Sequence, residues 1–254
     1  MSVAPLSRTA SSPHRGSIEV ATLASLYVLY EVVRGQGNAT VAAAREHTDW
    51  IVSFEQRFHV FGERAVQHAA EAVPAAPTVL GIAYIALHFL GTTAFLVWLY
   101  RRHRDRFAVV RNTLIAATAI ALTLYVVFPA APPRLAELGF VDTVSHSAKV
   151  NLSSDLLGSL YNPFAAVPSL HFGYALLVGV TIAALSRRRL VQALGLSYPL
   201  VMLLVIVATG NHFFFDAAAG ALTIGAGYFI AKRVDFARRE PRKRTAVGSV
   251  AALS

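Results

Sequence analysis

Six apolar blocks, each near the length that a hydrocarbon core demands, alternate with polar or charged connections along the chain. They run near Ser17 to Arg34, Pro77 to Tyr100, Phe107 to Phe128, Pro168 to Leu185, Leu190 to Thr209 and Phe213 to Ala231. Roughly 20 helical residues, each rising about 1.5 Å, cross the apolar part of a bilayer. The pattern therefore predicts an all-α integral membrane protein, a six-transmembrane-helix bundle. The segment between the first two spans reads differently. There Trp50, Phe54, Phe58, Phe61 and Ala65 recur at helical spacing opposite Arg45, Glu46, Asp49, Arg57 and Arg64, which predicts an outer amphipathic helix over 41–70. Residues 1–16 and 236–254 read as tails around a single membrane domain at 17–235. The longest connection, 129–167, is rich in Pro, Gly, Ser and Asn, and connections of that length usually carry function.

Composition agrees with the pattern: 55% of residues are hydrophobic and 15% charged, against about 25% charged in an ordinary soluble domain. The net charge of +9 raises the question of a nucleic-acid partner, and the placement of the charge answers it. Lys and Arg gather in the N-terminal tail, at 101–111, at 187–189 and from Lys232 onward; only Arg34, Arg45, Arg57, Arg64, Arg134 and Lys149 stand elsewhere. This one-sidedness is a topology signal with contacts to anionic headgroups, so no nucleic-acid partner is expected. It predicts a multi-pass protein of the cell membrane with both termini cytoplasmic. Cysteine is absent, which removes disulfides, thiolate metal sites and thiol nucleophiles.

Three polar constellations fall at the outer ends of the predicted spans. In Val167-Pro168-Ser169-Leu170-His171 a proline suited to a helix's first turn opens the fourth span, where unbonded amide hydrogens and the helix dipole attract an anion. His171 stands beside them. In Thr209-Gly210-Asn211-His212 followed by Asp216, the i, i+4 spacing puts His212 and Asp216 on one face, so the carboxylate can orient the imidazole. Aspartate at the edge of a span is expensive and implies a partner. In Pro129-Ala130-Ala131-Pro132-Pro133-Arg134 the guanidinium suits phosphate oxygens. Two histidines and a carboxylate at one depth supply a nucleophile, its orienting group and an acid–base group.

These residues resemble the motifs of the type 2 phosphatidic acid phosphatase superfamily. Pro168-Ser169-Leu170-His171 is similar to its second motif, His212 and Asp216 to its third, and Pro132-Pro133-Arg134 to a reduced first. Leu170 and the Gly210-Asn211-His212 form look closer to the inositol-phosphotransferase branch, which includes inositol phosphorylceramide synthases. The resemblance implies a lipid-phosphate phosphatase or phosphotransferase on the outer membrane face that needs neither cofactor nor metal. His212 would attack phosphorus, Asp216 would orient it, and His171 would protonate the leaving oxygen and then activate water or an alcohol. Ile206 stands where the common phosphatase form has arginine. Phosphate charge then falls to Arg134, Lys149, Ser169 and helix-end amides.

The rival class is a transporter or ion pathway, which would need polar groups at mid-depth and related halves. The key groups here gather at one surface instead. Of the other polar residues in spans, Glu31 and Arg34 read as an intrahelical pair and His88 as a packing residue. Gly173, Gly179, Gly220, Gly225 and Gly227 read as sites of close helix contact.

Overall fold

The computed structural model describes residues 13–35, 40–143 and 163–251; the side chains of residues 13–15, 26, 29–35 and 237–251 fall outside the description. Eight helices order the described chain: α1 (Pro13–Gly35), α2 (Val41–Arg57), α3 (Glu63–Glu71), α4 (Ala76–Arg102), α5 (Arg104–Val127), α6 (Leu170–Leu185), α7 (Arg189–Ala208) and α8 (Phe214–Ala251). A single 3-10 turn, Pro133–Leu135, follows α5. No β-strand occurs among the described residues; one isolated bridge joins Ala130 and Ala165.

Four helices, α4, α5, α7 and the Phe214–Phe236 part of α8, are long and apolar enough to cross a membrane. α6 is as apolar but has 16 residues. Large apolar side chains cover the outside of these helices, with Leu222 76% and Leu190 72% exposed, as a surface solvated by lipid requires. The inside is closed by small residues. A Cβ on Gly179 would lie 2.3 Å from the Gly195 carbonyl oxygen, one on Gly227 2.8 Å from that of Thr113, and one on Gly220 2.3 Å from that of Ser169. Glycine thus sets the approach of α6 to α7, α8 to α5, and α8 to the start of α6. Gly173 likewise faces Gly220, whereas Gly225 faces open space.

The segment 41–70 forms two helices rather than one. His59, at φ 57°, reverses the chain after α2, and the Val60 amide donates to the Glu55 carbonyl at 2.9 Å. The face of α2 turned to the protein is also not the aromatic one. It buries Ala44, Thr48, Ile51 and Glu55, while Trp50, Phe54 and Phe58 remain exposed. Helical periodicity finds the apolar stripe but does not say whether protein or lipid covers it.

Two further expectations shift. Pro168 precedes α6 instead of occupying its first turn, and Ser169 is the N-cap, its hydroxyl accepting from the Phe172 amide at 3.4 Å. The backbone of α8 runs on to Ala251, so the basic stretch read as a tail is helical, in keeping with its Arg, Lys, Glu and Ala content. The expected Glu31–Arg34 pair and Lys149 lie outside the described side chains.

Candidate active site

The starts of α6 and α8 and the ends of α5 and α7 meet at one end of the bundle, opposite the arginine-rich junctions at 101–106 and 187–189. The Ser169 amide donates to the Asp216 carbonyl at 2.9 Å, a contact possible because Gly220 carries no side chain. Residues on the first turns of two helices are thereby brought together. The His171 and His212 ring centroids lie 5.8 Å apart.

His212 is held by its own turn. Its Nδ1 lies 3.1 Å from Asp216 Oδ2, and the same oxygen accepts from the Phe213 amide at 3.0 Å. A carboxylate partner places the ring proton on Nδ1 and leaves the lone pair on Nε2. The His212 and Asn211 amides both donate to the Ile206 carbonyl, at 3.1 and 3.0 Å. Ile206 therefore contributes backbone to the site while its side chain is fully buried in the core with Met202 and Ala217.

His171 is held by ring faces. Tyr84 stacks on it at 4.1 Å and His88 tilts against it at 4.0 Å. Both belong to α4, and His88 lies in a π-helical turn, Leu87–Gly91. Such turns commonly occur where a side chain must be re-aimed. His88, expected as a packing residue, thus stands in the site. The sequence signal was present: Tyr84 and His88 are polar, four residues apart, and inside a span.

Arg134 lies in the turn after α5, which is fixed from several sides. Thr48 Oγ1 accepts from the Ala131 amide at 2.9 Å, the Ala130 amide donates to the Phe164 carbonyl at 2.8 Å, and the Arg134 amide donates to the Gly210 carbonyl at 2.9 Å. The guanidinium donates to Asn211 Oδ1 at 2.8 Å and pairs with Asp142 at 3.3 Å. Its side chain is 5% exposed. Arg134, Asn211, His171 and His212 line one cavity of about 810 Å³, so three catalytic or phosphate-binding candidates share a wall. Ser169 is fully buried and caps α6; it stands at the site as part of the helix N-terminus.

Sequence reading missed Glu55 and Glu63. Both are buried, and both reach from the connecting helices to the start of α8. Glu63 accepts the Phe214 amide at 2.9 Å and Glu55 the Phe215 amide at 2.6 Å. With Asp216 on Phe213, protein carboxylates take the amides that an α-helix leaves without internal partners. Burial first, then the hydrogen bond to Glu63, pushes the Glu55 carboxyl up to about 9, against the opposing Phe215 amide. Glu55 is therefore protonated at neutral pH, bonded to a Glu63 that supports it. Among the described residues no group of three or more His, Asp or Glu side chains is placed to hold a metal ion.

A family model for the PAP2 superfamily matches residues 49–230. The chain belongs to that superfamily, whose members are phosphatases or phosphotransferases acting on phosphate esters. Comparison with curated proteins and with solved structures gives no match.

Proposed function

We propose that this protein is a lipid-phosphate phosphatase or phosphotransferase that works through a phosphohistidine on His212 at the outer membrane surface. The observation that carries this reading is the His212–Asp216 contact of 3.1 Å facing His171 across a cavity mouth that also holds Arg134. His212 Nε2 attacks phosphorus while Asp216 supports the imidazolium that forms. The P–O ester bond breaks, and the departing oxygen takes a proton from His171. Water, or an alcohol, then gives a proton back to His171 as its oxygen attacks the phosphohistidine, breaking the N–P bond and restoring both histidines. Arg134 and the α6 N-terminus meet the phosphate charge.

Hydrolysis is the preferred outcome, since a transferase needs an acceptor pocket that no residue here identifies; Leu170 and Gly210-Asn211-His212 support the inositol-phosphate type of transferase as the alternative. α1 and the short α6 complete six spans in this reading, with both termini and the arginine junctions in the cytoplasm. An impermeant thiol reagent should then label Ser145→Cys from outside but not Arg188→Cys; the reverse result overturns the topology. For the chemistry, brief incubation with radiolabelled lipid phosphate and alkaline quench should trap an acid-labile label on the native protein and none on His212→Ala. Label retained in that variant would assign the nucleophile elsewhere.

A further inference from the structure

The cavity that begins at the two histidines does not end there. From Tyr84 and His88 it follows one face of α4 through Leu96 to Tyr100 and Arg101, with α5 opposite from Tyr125 to Phe107. Seventeen residues of helix separate Tyr84 from Arg101, about 25 Å at a helical rise of about 1.5 Å. That is most of the roughly 30 Å thickness of a bilayer's hydrocarbon core. α1 closes one side along its length: Gly16 meets Tyr100 at the far end, where an added Cβ would lie 3.4 Å from the hydroxyl, and Tyr27 meets Phe89 edge-on at 6.2 Å beside His88.

The lining is graded. At mid-depth it is Val20, Leu23, Leu96 and Leu114, with Thr92 and Thr93 among them. The Thr118 hydroxyl there is occupied, donating to the Leu114 carbonyl at 2.7 Å with Tyr174 at 2.6 Å. Charge appears only at the two ends. At one stand Arg134 and the histidines; at the other, Arg101 and Glu19, the latter ion-paired with Arg111. An ion pathway would place ionisable groups at mid-depth, and this one places aliphatic and threonine side chains there.

Resting on the reading of the site as a phosphate-ester site, the geometry points to one occupant: a single long hydrocarbon chain of the lipid phosphate itself, drawn inside the protein. The phosphate sits at the histidines and the chain runs inward between α1, α4 and α5 toward Tyr100. The space is continuous with the reacting end, its length matches an extended lipid chain, and its walls are apolar where the chain would lie and polar where the phosphate would. Substrate preference then follows chain length, because each methylene added within the cavity gains apolar burial and those beyond Tyr100 gain none.

The experiment compares octyl, dodecyl and hexadecyl phosphate in the same detergent with the native protein, Leu96→Trp and, from the opposite wall, Ala24→Trp. Leu96 lies about 12 Å beyond His88 along α4, so a short chain ends before it and a long one must pass it. Both plugged variants should lose about tenfold or more in kcat/KM for hexadecyl phosphate and stay near native for octyl phosphate. The lipid-facing Leu222→Trp should change neither. Equal effects of the plugs on all chain lengths, or none on any, would overturn the cavity inference and leave the site's chemistry standing. No phosphate release from any of the esters by native protein would instead overturn the reading of the site. Should both plugged variants fail to fold, hexadecyl phosphate carrying a photoreactive group at its chain end replaces them. Crosslinks on Gly16–Leu23 or on Tyr100 and Phe107 support the inference, and crosslinks confined to the lipid-facing side of α7 or α8 overturn it.

Discussion

The starts of α6 and α8 carry the two histidines, and their surroundings differ in kind. α8 begins inside a set of protein carboxylates: Asp216 on Phe213, Glu63 on Phe214 and Glu55 on Phe215. α6 begins with a single hydroxyl cap from Ser169, and its histidine lies between the rings of Tyr84 and His88. A helix N-terminus already saturated by carboxylates cannot also bind phosphate, whereas one capped only by a hydroxyl can. The Asp216 carboxylate fixes one tautomer of His212, which suits the nucleophile proposed for it, while the rings of Tyr84 and His88 position His171, proposed as the acid–base group. Two chemically identical side chains thus stand in different surroundings, and the proposed division of tasks rests on that difference.

Removing the charge from the α8 side should have the largest effect. Asp216→Asn keeps an acceptor for the Phe213 amide but no longer supports the imidazolium, and turnover should fall about 10⁴-fold with the labelled intermediate reduced in parallel. An unchanged label would mean that the carboxylate has no part in the attack. On the α6 side, His171→Ala should slow lipid phosphate turnover by about 10³-fold. It should still form the labelled intermediate from an aryl phosphate, whose leaving group needs no proton. Equal loss with both esters would give His171 a binding task instead. Arg134→Ala should cost about 10²-fold, and Arg134→Lys should recover part of it because charge returns without the planar fork. Near-native turnover in Arg134→Ala over a range of substrate concentrations would place the phosphate on other groups.

The smallest effect on turnover belongs to the support behind α8. With the Glu55 carboxyl raised to about 9 from an ordinary 4.5, the folded state holds a proton that the unfolded chain releases. That contribution is fully present below about pH 4.5 and is lost as pH rises toward 9. Thermal stability should therefore decline over that window in the native protein. Glu55→Gln, neutral throughout and able to accept the Phe215 amide with its oxygen, should flatten the decline while leaving neutral-pH activity little changed. A native melting profile level between pH 5 and 9 would contradict the raised Glu55 carboxyl.

The sequence by itself determined the apolar helices and the one-sided arginines, and it singled out His171, His212, Asp216 and Arg134, which the structure brings to one end of the bundle. Each of these is a local signal: a run of apolar residues long enough for a bilayer, a charge outside the bilayer, or two groups one helical turn apart. It also marked Gly173, Gly179, Gly220 and Gly227 as sites of close approach, though Gly225, marked with them, faces open space. It could not say which face of α2 the protein covers: the aromatic stripe is turned outward and the buried face carries Glu55. It left His88 as packing and did not find Glu55 and Glu63 at all. Those residues act through contacts separated by more than eighty positions, such as Glu55 with Phe215. Only the tertiary structure brings a carboxylate from one helix to the amides of another, or leaves a channel between α1 and α4. The physical reason is that propensity and periodicity describe how a segment relates to its own neighbours, whereas capping from afar and the shape of a cavity depend on how closely separate helices meet. That distance was decided here by Gly220 against Ser169 and by a π-helical turn in α4.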